Sequence, residues 1–107
     1  MRLISRIEEI ILLSIWRLQD NAYGVTILEE VVKTTGKSWL TGSIYASLGR
    51  LLKHGLVKSV QGEPTPERGG RRKIYYKLTS DGQKALTTIK RVNSIIWSNL
   101  PAFDVDE

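Results

Sequence analysis

A short basic segment, RGGRRK at residues 68–73, has the residue types to bind phosphates. Its glycines leave the backbone unusually free, so the cationic side chains can spread in several directions. Such groups can follow the backbone of a duplex or enter a narrow minor groove, where the negative potential is strongest. The segment therefore predicts nucleic-acid contacts from Arg68, Gly70, Arg71, Arg72 and Lys73.

The positive charge of the chain is concentrated in its middle. The 107 residues carry a formal net charge of +5, and the segment 33–77 contains ten basic residues against two acidic ones. Hydrophobic residues make up 41% and charged residues 25%, which is typical of one globular domain rather than a disordered chain. A concentrated basic region indicates a polyanionic partner, although charge alone more often marks a solvated surface.

Catalytic and metal-binding chemistry is disfavoured. His54 is the single histidine and there is no cysteine, so a catalytic triad, a thiol nucleophile and a zinc site all lack residues. The neighbouring carboxylates Glu8 and Glu9 point about 100° apart on a helix and do not share one site. We expect no enzyme activity, no metal and no cofactor.

The sequence also predicts a cytoplasmic location. A chain without cysteine suits a reducing compartment. Glu8 and Glu9 interrupt the apolar stretch that a secretory signal requires, and the longest apolar run, residues 10–13, is too short to span a membrane.

Apolar spacing predicts four helices and one hairpin. Helices are expected over residues 3–18 and 25–36, then from an N-cap at Thr41 to just before Gly55, and over residues 81–99 after a Ser80/Gln83 capping box. Segments 56–61 and 73–79 are rich in β-branched and aromatic residues and flank a long basic loop. The order predicts a mostly helical α+β fold, a winged helix-turn-helix with three helices, a β-hairpin wing and a long C-terminal helix.

Three regions follow from this order: a winged-helix DNA-binding domain at 1–80, a dimerisation helix at 81–100, and a loose acidic tail at 101–107. In the third helix, Ile44, Leu48, Leu51 and Leu52 are expected in the core. Ile74, Tyr76 and Leu78 should form the core face of the second strand. Trp16 and Trp39 are also interpreted as core residues.

The opposite face of the third helix is small and basic. Small side chains allow close approach to a DNA backbone, while arginine and lysine reach phosphates or guanine edges. By helical projection this face contains Gly42, Ser43, Ala46, Gly49, Arg50 and Lys53. With their neighbours, the expected DNA contacts of this helix are Thr41, Gly42, Ser43, Tyr45, Ala46, Ser47, Arg50 and Lys53.

Two motifs carry a family resemblance. GSIYASLGRLLKHGLV and GGRRKIYYKLTSDGQKAL are similar to the recognition and wing segments of the PadR family of bacterial transcriptional regulators. ILLSIWRLQDNAYGVTILEEV also resembles that family's opening, in which a pair such as Tyr23-Gly24 starts the second helix. The similarity covers about residues 8–90 and departs at Ala46, where many members have proline. The chain resembles the short subgroup, whose single C-terminal helix makes the dimer.

Apolar residues also predict a homodimer. The stripe on the last helix is more than a small domain can cover, and the first helix offers a second apolar side. The expected interface residues are Ile4, Ile7, Ile11, Leu86, Ile89, Val92, Ile96 and Leu100. The family resemblance implies a hydrophobic or phenolic effector at this interface, beside an aromatic residue of the last helix. In this chain Trp97 lies about one helical turn beyond the position of that aromatic residue, and Asn93 lies nearer to it. The candidate effector residues are therefore Trp16, Asn93 and Trp97.

The function predicted from all of this is a dimeric, sequence-specific regulator of double-stranded DNA. The resemblance implies a repressor that occupies an inverted-repeat operator, controls detoxification or efflux genes, and is released by the effector. Two alternatives remain at this point: a structural winged-helix protein that binds RNA, and a winged helix used for protein docking, which the basic wing disfavours.

Overall fold

The computed structural model describes residues 4–64 and 72–105. These residues form four α-helices and one antiparallel hairpin, so the expected mostly helical α+β fold is confirmed. The elements are α1 (Arg6–Leu18), α2 (Gly24–Thr35), α3 (Thr41–Lys53), β1 (Val57–Pro64), β2 (Arg72–Leu78) and α4 (Ser80–Trp97), with a short 3-10 turn at Gln19–Asn21 between α1 and α2.

The start of α1 is fixed by local hydrogen bonds. Ser5 and Glu8 form a capping box at α1, in which the Ser5 N–H donates to Glu8 Oε1 at 2.8 Å and the Glu8 N–H donates to Ser5 Oγ at 3.2 Å. The predicted cap at Thr41 is wrong, because Leu40 is the N-cap of α3 and Thr41 is its first residue. Each orphan N–H that finds such an acceptor stabilises the first turn.

At α4 the cap is also displaced by one residue from the prediction. Thr79, not Ser80, is the N-cap, and its hydroxyl accepts from the Gly82 N–H at 3.0 Å. The same hydroxyl donates to the Gly55 carbonyl at 2.6 Å, which ties the start of α4 to the turn after α3. Gly82 passes so close to the Leu56 carbonyl that a Cβ would collide with it. The first turn of α4 therefore packs closely on the backbone just before β1.

The core lies between α1, α2, α3 and the hairpin. Its buried hydrophobic residues are Ile11, Leu12, Ile15, Ala22, Ile27, Val31, Ile44, Leu48, Leu51, Val57, Tyr76 and Leu78. Trp39 packs against this core, with its ring N–H donating to Thr35 Oγ1 at 2.9 Å. Burial of these side chains supplies the main driving force for folding.

Four sequence expectations about burial need correction. Ile11 was expected at a dimer interface but is fully buried inside the protomer. Trp16, Leu52 and Ile74 were expected in the core, yet they are 51%, 37% and 45% exposed. Along β2 the buried alternation holds at Tyr76 and Leu78 but not at Ile74, so the period of the strand alone did not predict burial there.

The hairpin is anchored to the helices at its base. Val57 pairs with Leu78 and Gln61 with Ile74, and the register shifts between Gln61 and Pro64. The Tyr76 N–H donates to the Ala22 carbonyl at 2.8 Å, so the segment before α2 adds a short third edge to β2. This contact holds the root of the wing beside α2.

The far end of α4 extends away from the core. Ile95, Ile96 and Trp97 are each about 60% exposed or more. The radius of gyration is 16.2 Å, against roughly 13 Å for a compact domain of this length. Of the helices described, none combines the length and hydrophobicity needed to cross a membrane.

Candidate nucleic-acid interface

The outer face of α3 carries small residues that the rest of the described chain does not cover. Gly42, Ser43, Ala46 and Gly49 are all exposed. A Cβ added at Gly42 or Gly49 would meet no described heavy atom within 4 Å apart from the adjoining residues and the nearby backbone of α3 itself. Packing within the chain therefore does not require glycine at either position, although glycine inside a helix costs about 1 kcal/mol relative to alanine. The open face can accept a closely approaching partner.

Three further predicted contacts of α3 have different surroundings. Thr41 and Lys53 are exposed at the two ends of the helix. Ser47 is only 2% exposed and its Oγ accepts from Arg50 Nη2 at 2.9 Å. Direct contact between Ser47 and DNA does not fit this burial, and we correct that expectation: the residue supports Arg50 instead.

Arg50 lies between the open face of α3 and the first turn of α1. Its Nε is 3.7 Å from Glu8 Oε2, with side chains that are 51% and 5% exposed, respectively. Glu8 was not among the residues expected at this site. The Ser5/Glu8 spacing is a recognisable capping box, but the approach to Arg50 is a tertiary contact that spacing along one helix cannot show.

Tyr45 connects the starts of α2 and α3. It is 48% exposed, and its phenol lies against Gly24, where a Cβ would collide with it. The glycine of the Tyr23-Gly24 pair is thus explained by close packing. Burial raises the pKa of the Tyr76 phenol, and the nearby Tyr45 raises it further.

Two of the predicted wing cations lie in the described part of the hairpin. Arg72 is exposed, and the Lys73 ammonium lies 4.4 Å from the centre of the Tyr23 ring. Tyr23 and Tyr75 meet edge to face at 5.5 Å. Arg68, Gly70 and Arg71 were also predicted as contacts and lie outside the described residues.

A small pocket lies between the helices and the wing root, which is the part of β2 around Arg72 and Lys73. It has a volume of about 150 Å³, and its lining includes Tyr23, Tyr45, Arg72 and Lys73. The predicted contact residues Tyr45, Arg72 and Lys73 are therefore neighbours in space. Together with the open face of α3 they form one surface of small, basic and phenolic groups, which we call the basic face.

The three candidate effector residues also come together. Trp16, Asn93 and Trp97 line a cavity of about 650 Å³ between α1 and α4. Its wall also includes Leu13, which is 45% exposed. Trp97 has a further edge-to-face contact with Phe103 at 6.0 Å. The predicted core role of Trp16 is wrong, whereas a role in this cavity stays a prediction.

The predicted dimer residues fall into four groups by their burial. Ile11 is internal, as noted above. Ile4, Ile7 and Leu86 are partly covered by their own core, while Ile89 and Val92 are half-buried along α4. Ile96 and Leu100 are 59% and 48% exposed. A second cavity of about 650 Å³ follows α4 on its other side, and its lining includes Ile4, Ile89 and Val92.

Acidic and histidine side chains do not assemble a metal site in the part of the chain that the structure describes. Residues 4–64 and 72–105 contain no group of three or more potential ligands from His, Asp and Glu that could hold an ion. The chemistry available on the basic face is that of cationic and hydrogen-bonding groups, which suits a phosphate backbone.

The arrangement is that of a winged helix with a basic face, and comparison with known proteins identifies its family. The model of the transcriptional regulator PadR-like family matches residues 12–88, and the chain belongs to this family of DNA-binding regulators. The family consists of transcription regulators rather than enzymes. Among curated proteins, none matches the sequence significantly.

Several solved structures share the fold. A PadR family transcription regulator from Clostridium difficile is 28% identical, with a TM-score of 0.66 over 83% of this chain and 88% of that one. A transcriptional regulator from Clostridium thermocellum is 26% identical, with a TM-score of 0.69 over 84% of each chain. RosR of H. salinarum is similar in fold at 21% identity, with a TM-score of 0.73 over 94% of this chain and 83% of that one.

Proposed function

We propose that the protein is a homodimeric repressor that binds an inverted-repeat operator in the cytoplasm and is released by a small hydrophobic or phenolic effector. The observation that carries the proposal is the basic face. Its glycines at 42 and 49 have open space around them, and its cations come from both α3 and the wing root. A helix of this shape fits the major groove, while the wing contacts the flanking backbone.

The proposed dimer rests on apolar surface that the protomer leaves uncovered. Ile96 and Leu100 are largely exposed, and the cavity lined by Ile4 and Val92 is a groove beside them. Packing α4 and α1 against the same elements of a second copy would bury both surfaces across a two-fold axis. Such symmetry relates two α3 helices, which explains why an inverted repeat is the expected operator.

The proposed effector site is the cavity that contains Trp16 and Trp97. A volume of about 650 Å³ is within the usual range for small-molecule pockets, and the two indole rings favour a planar aromatic ligand. Because α1 and α4 form this cavity and would also form the dimer, a bound ligand can change the separation of the two α3 helices. Repression by promoter occlusion would then be relieved.

The decisive experiment begins with selection of bound fragments from the host genome. Fluorescence anisotropy then compares the selected site, a scrambled duplex and an RNA of the same sequence, while sedimentation measures protein bound per site. We expect a preference for the selected duplex and two protomers per inverted repeat. Equal binding to scrambled duplex would refute an operator-specific regulator, and tighter binding to RNA would favour the RNA-binding alternative.

The effector is tested separately with a panel of planar aromatic compounds. Binding should change tryptophan fluorescence and lower the affinity for the selected duplex. A Trp97→Leu variant should lose the ligand response while keeping the DNA preference, and Trp39→Phe, which lies outside the cavity, serves as the matched control. A ligand response that survives in Trp97→Leu would place the effector elsewhere.

A further inference from the structure

The guanidinium of Arg50 is held on two sides by buried partners. Nη2 donates to Ser47 Oγ at 2.9 Å, and Nε lies 3.7 Å from Glu8 Oε2. Ser47 and Glu8 are only 2% and 3% exposed, so neither can follow the guanidinium outward. Arg50 itself remains half-exposed at the edge of the basic face.

The Glu8 carboxylate is itself fixed in place. Its other oxygen, Oε1, accepts from the Ser5 N–H at 2.8 Å in the capping box of α1. A rigid acceptor therefore lies behind an arginine whose side chain would otherwise sample many rotamers. The contact joins the first turn of α1 to the helix that is proposed to read DNA.

We propose that Glu8 is a positioning residue that increases the sequence specificity of DNA binding by restraining Arg50. This inference rests on the proposed function, in which Arg50 faces the DNA. An unrestrained arginine can reach phosphates in any sequence, whereas a restrained one gains a contact only where a base edge or phosphate has the matching position. The Glu8 carboxylate also offsets part of the positive charge of Arg50, which weakens the attraction of this arginine for phosphates in random DNA.

Glu8→Gln is the central variant, because glutamine keeps the acceptor of the capping box and removes the charge. We expect binding to random duplex to tighten by about threefold, the size of effect that a partly exposed ion pair can produce. The log K against log salt slope should steepen by up to about 0.9, one additional phosphate contact. The ratio of operator to random affinity should fall.

Two controls separate positioning from a structural role. Ser5→Ala weakens the capping box and leaves the Glu8 charge, so it should lower thermal stability without changing the affinity ratio. In an Arg50→Ala background, Glu8→Gln should change neither the ratio nor the salt slope, because Glu8 acts through Arg50. An equal effect of Glu8→Gln with and without Arg50 would overturn the inference.

The failure of this inference is distinguishable from failure of the proposed function. If the parent protein shows no operator preference, or Arg50→Ala leaves DNA binding unchanged, the proposed function is wrong for this helix. If Arg50→Ala weakens binding and Glu8→Gln does nothing, only the positioning role is wrong. Should Glu8→Gln not fold, the order parameter of the Arg50 side-chain Nε in the unmodified protein decides: a rigid Nε supports the restraint, and a mobile one contradicts it.

Discussion

The phenol of Tyr45 lies against the α-carbon of Gly24, so α3 packs on the start of α2 at a position that has no side chain. Gly24→Ala should push the Tyr45 ring outward and destabilise the fold by about 1 kcal/mol, at the lower end of overpacking effects because the ring is partly exposed and can move. Thermal unfolding measures this loss.

The matched control for Gly24 is the same change in a Tyr45→Ala background. Without the phenol, the added methyl group has no ring to displace, and the cost should disappear. A loss of stability that is identical in both backgrounds would show that Tyr45 does not explain the glycine.

Gly82→Ala should be far more disruptive than other glycine replacements in the helices. The new Cβ would meet the Leu56 carbonyl, which is backbone and cannot turn aside, so we expect a loss of about 3 kcal/mol in the free energy of unfolding. Urea denaturation provides the measurement. A variant as stable as the parent would mean that α4 does not approach Leu56 so closely.

Gly49→Ala should have opposite effects on stability and on DNA binding. Because the site is exposed and open, alanine should stabilise α3 by about 0.5–1 kcal/mol. The same methyl group should weaken operator binding if a DNA backbone approaches this face. Thermal unfolding measures the expected gain in stability, and fluorescence anisotropy on the same preparation measures the expected loss of operator affinity. Stabilisation with unchanged operator affinity would show that Gly49 is not in the DNA interface.

The two cations at the wing root should behave differently from one another. Arg72→Ala should weaken operator and random DNA alike and flatten the salt slope by about 0.9, without affecting the fold. Lys73→Ala should do the same and also lower stability by about 0.5 kcal/mol, because its ammonium lies over the Tyr23 ring. A salt slope unchanged in both variants would exclude the wing root from the DNA contact.

Ile96→Glu should dissociate the proposed dimer and abolish operator binding. A dimer seam would bury the new carboxylate without a partner, which is strongly unfavourable. Sedimentation at micromolar concentration detects the change in mass. Arg91→Glu, an exposed position of α4 outside both large cavities, should leave the dimer intact. A monomeric Ile96→Glu that still binds operator tightly would contradict the dimer.

The order of the elements could be predicted because it depends on local patterns. Apolar spacing located all four helices, and the turn residues around Gly36 and Gly55 coincide with left-handed backbone at both glycines. The cap of α3 is displaced to Leu40, which has extended backbone and no side-chain cap, whereas at α4 two adjacent hydroxyl residues compete and a tertiary contact decides between them. Thr79 is the cap because its hydroxyl also reaches the Gly55 carbonyl, 24 residues away.

Side-chain environments on α1 were harder to predict. Apolar residues lie on more than one side of this helix, so periodicity alone could not decide that Ile11 is internal while Trp16 faces outward. The approach of Glu8 to Arg50 depends on how α1 crosses α3, and neither helix contains that information by itself. The contact between Lys73 and the Tyr23 ring likewise joins residues that are far apart in the sequence, so local patterns could not predict it.

The projecting end of α4 should make the stability of the protein depend on its concentration. If α4 packs against a second copy as proposed, its exposed last turns are stabilised by association, and association follows mass action. The melting temperature should therefore rise with protein concentration. For the proposed dimer, dilution by cell division would lower the dimeric fraction, so the copy number would affect both the occupancy of DNA and the resistance of the protein to proteolysis.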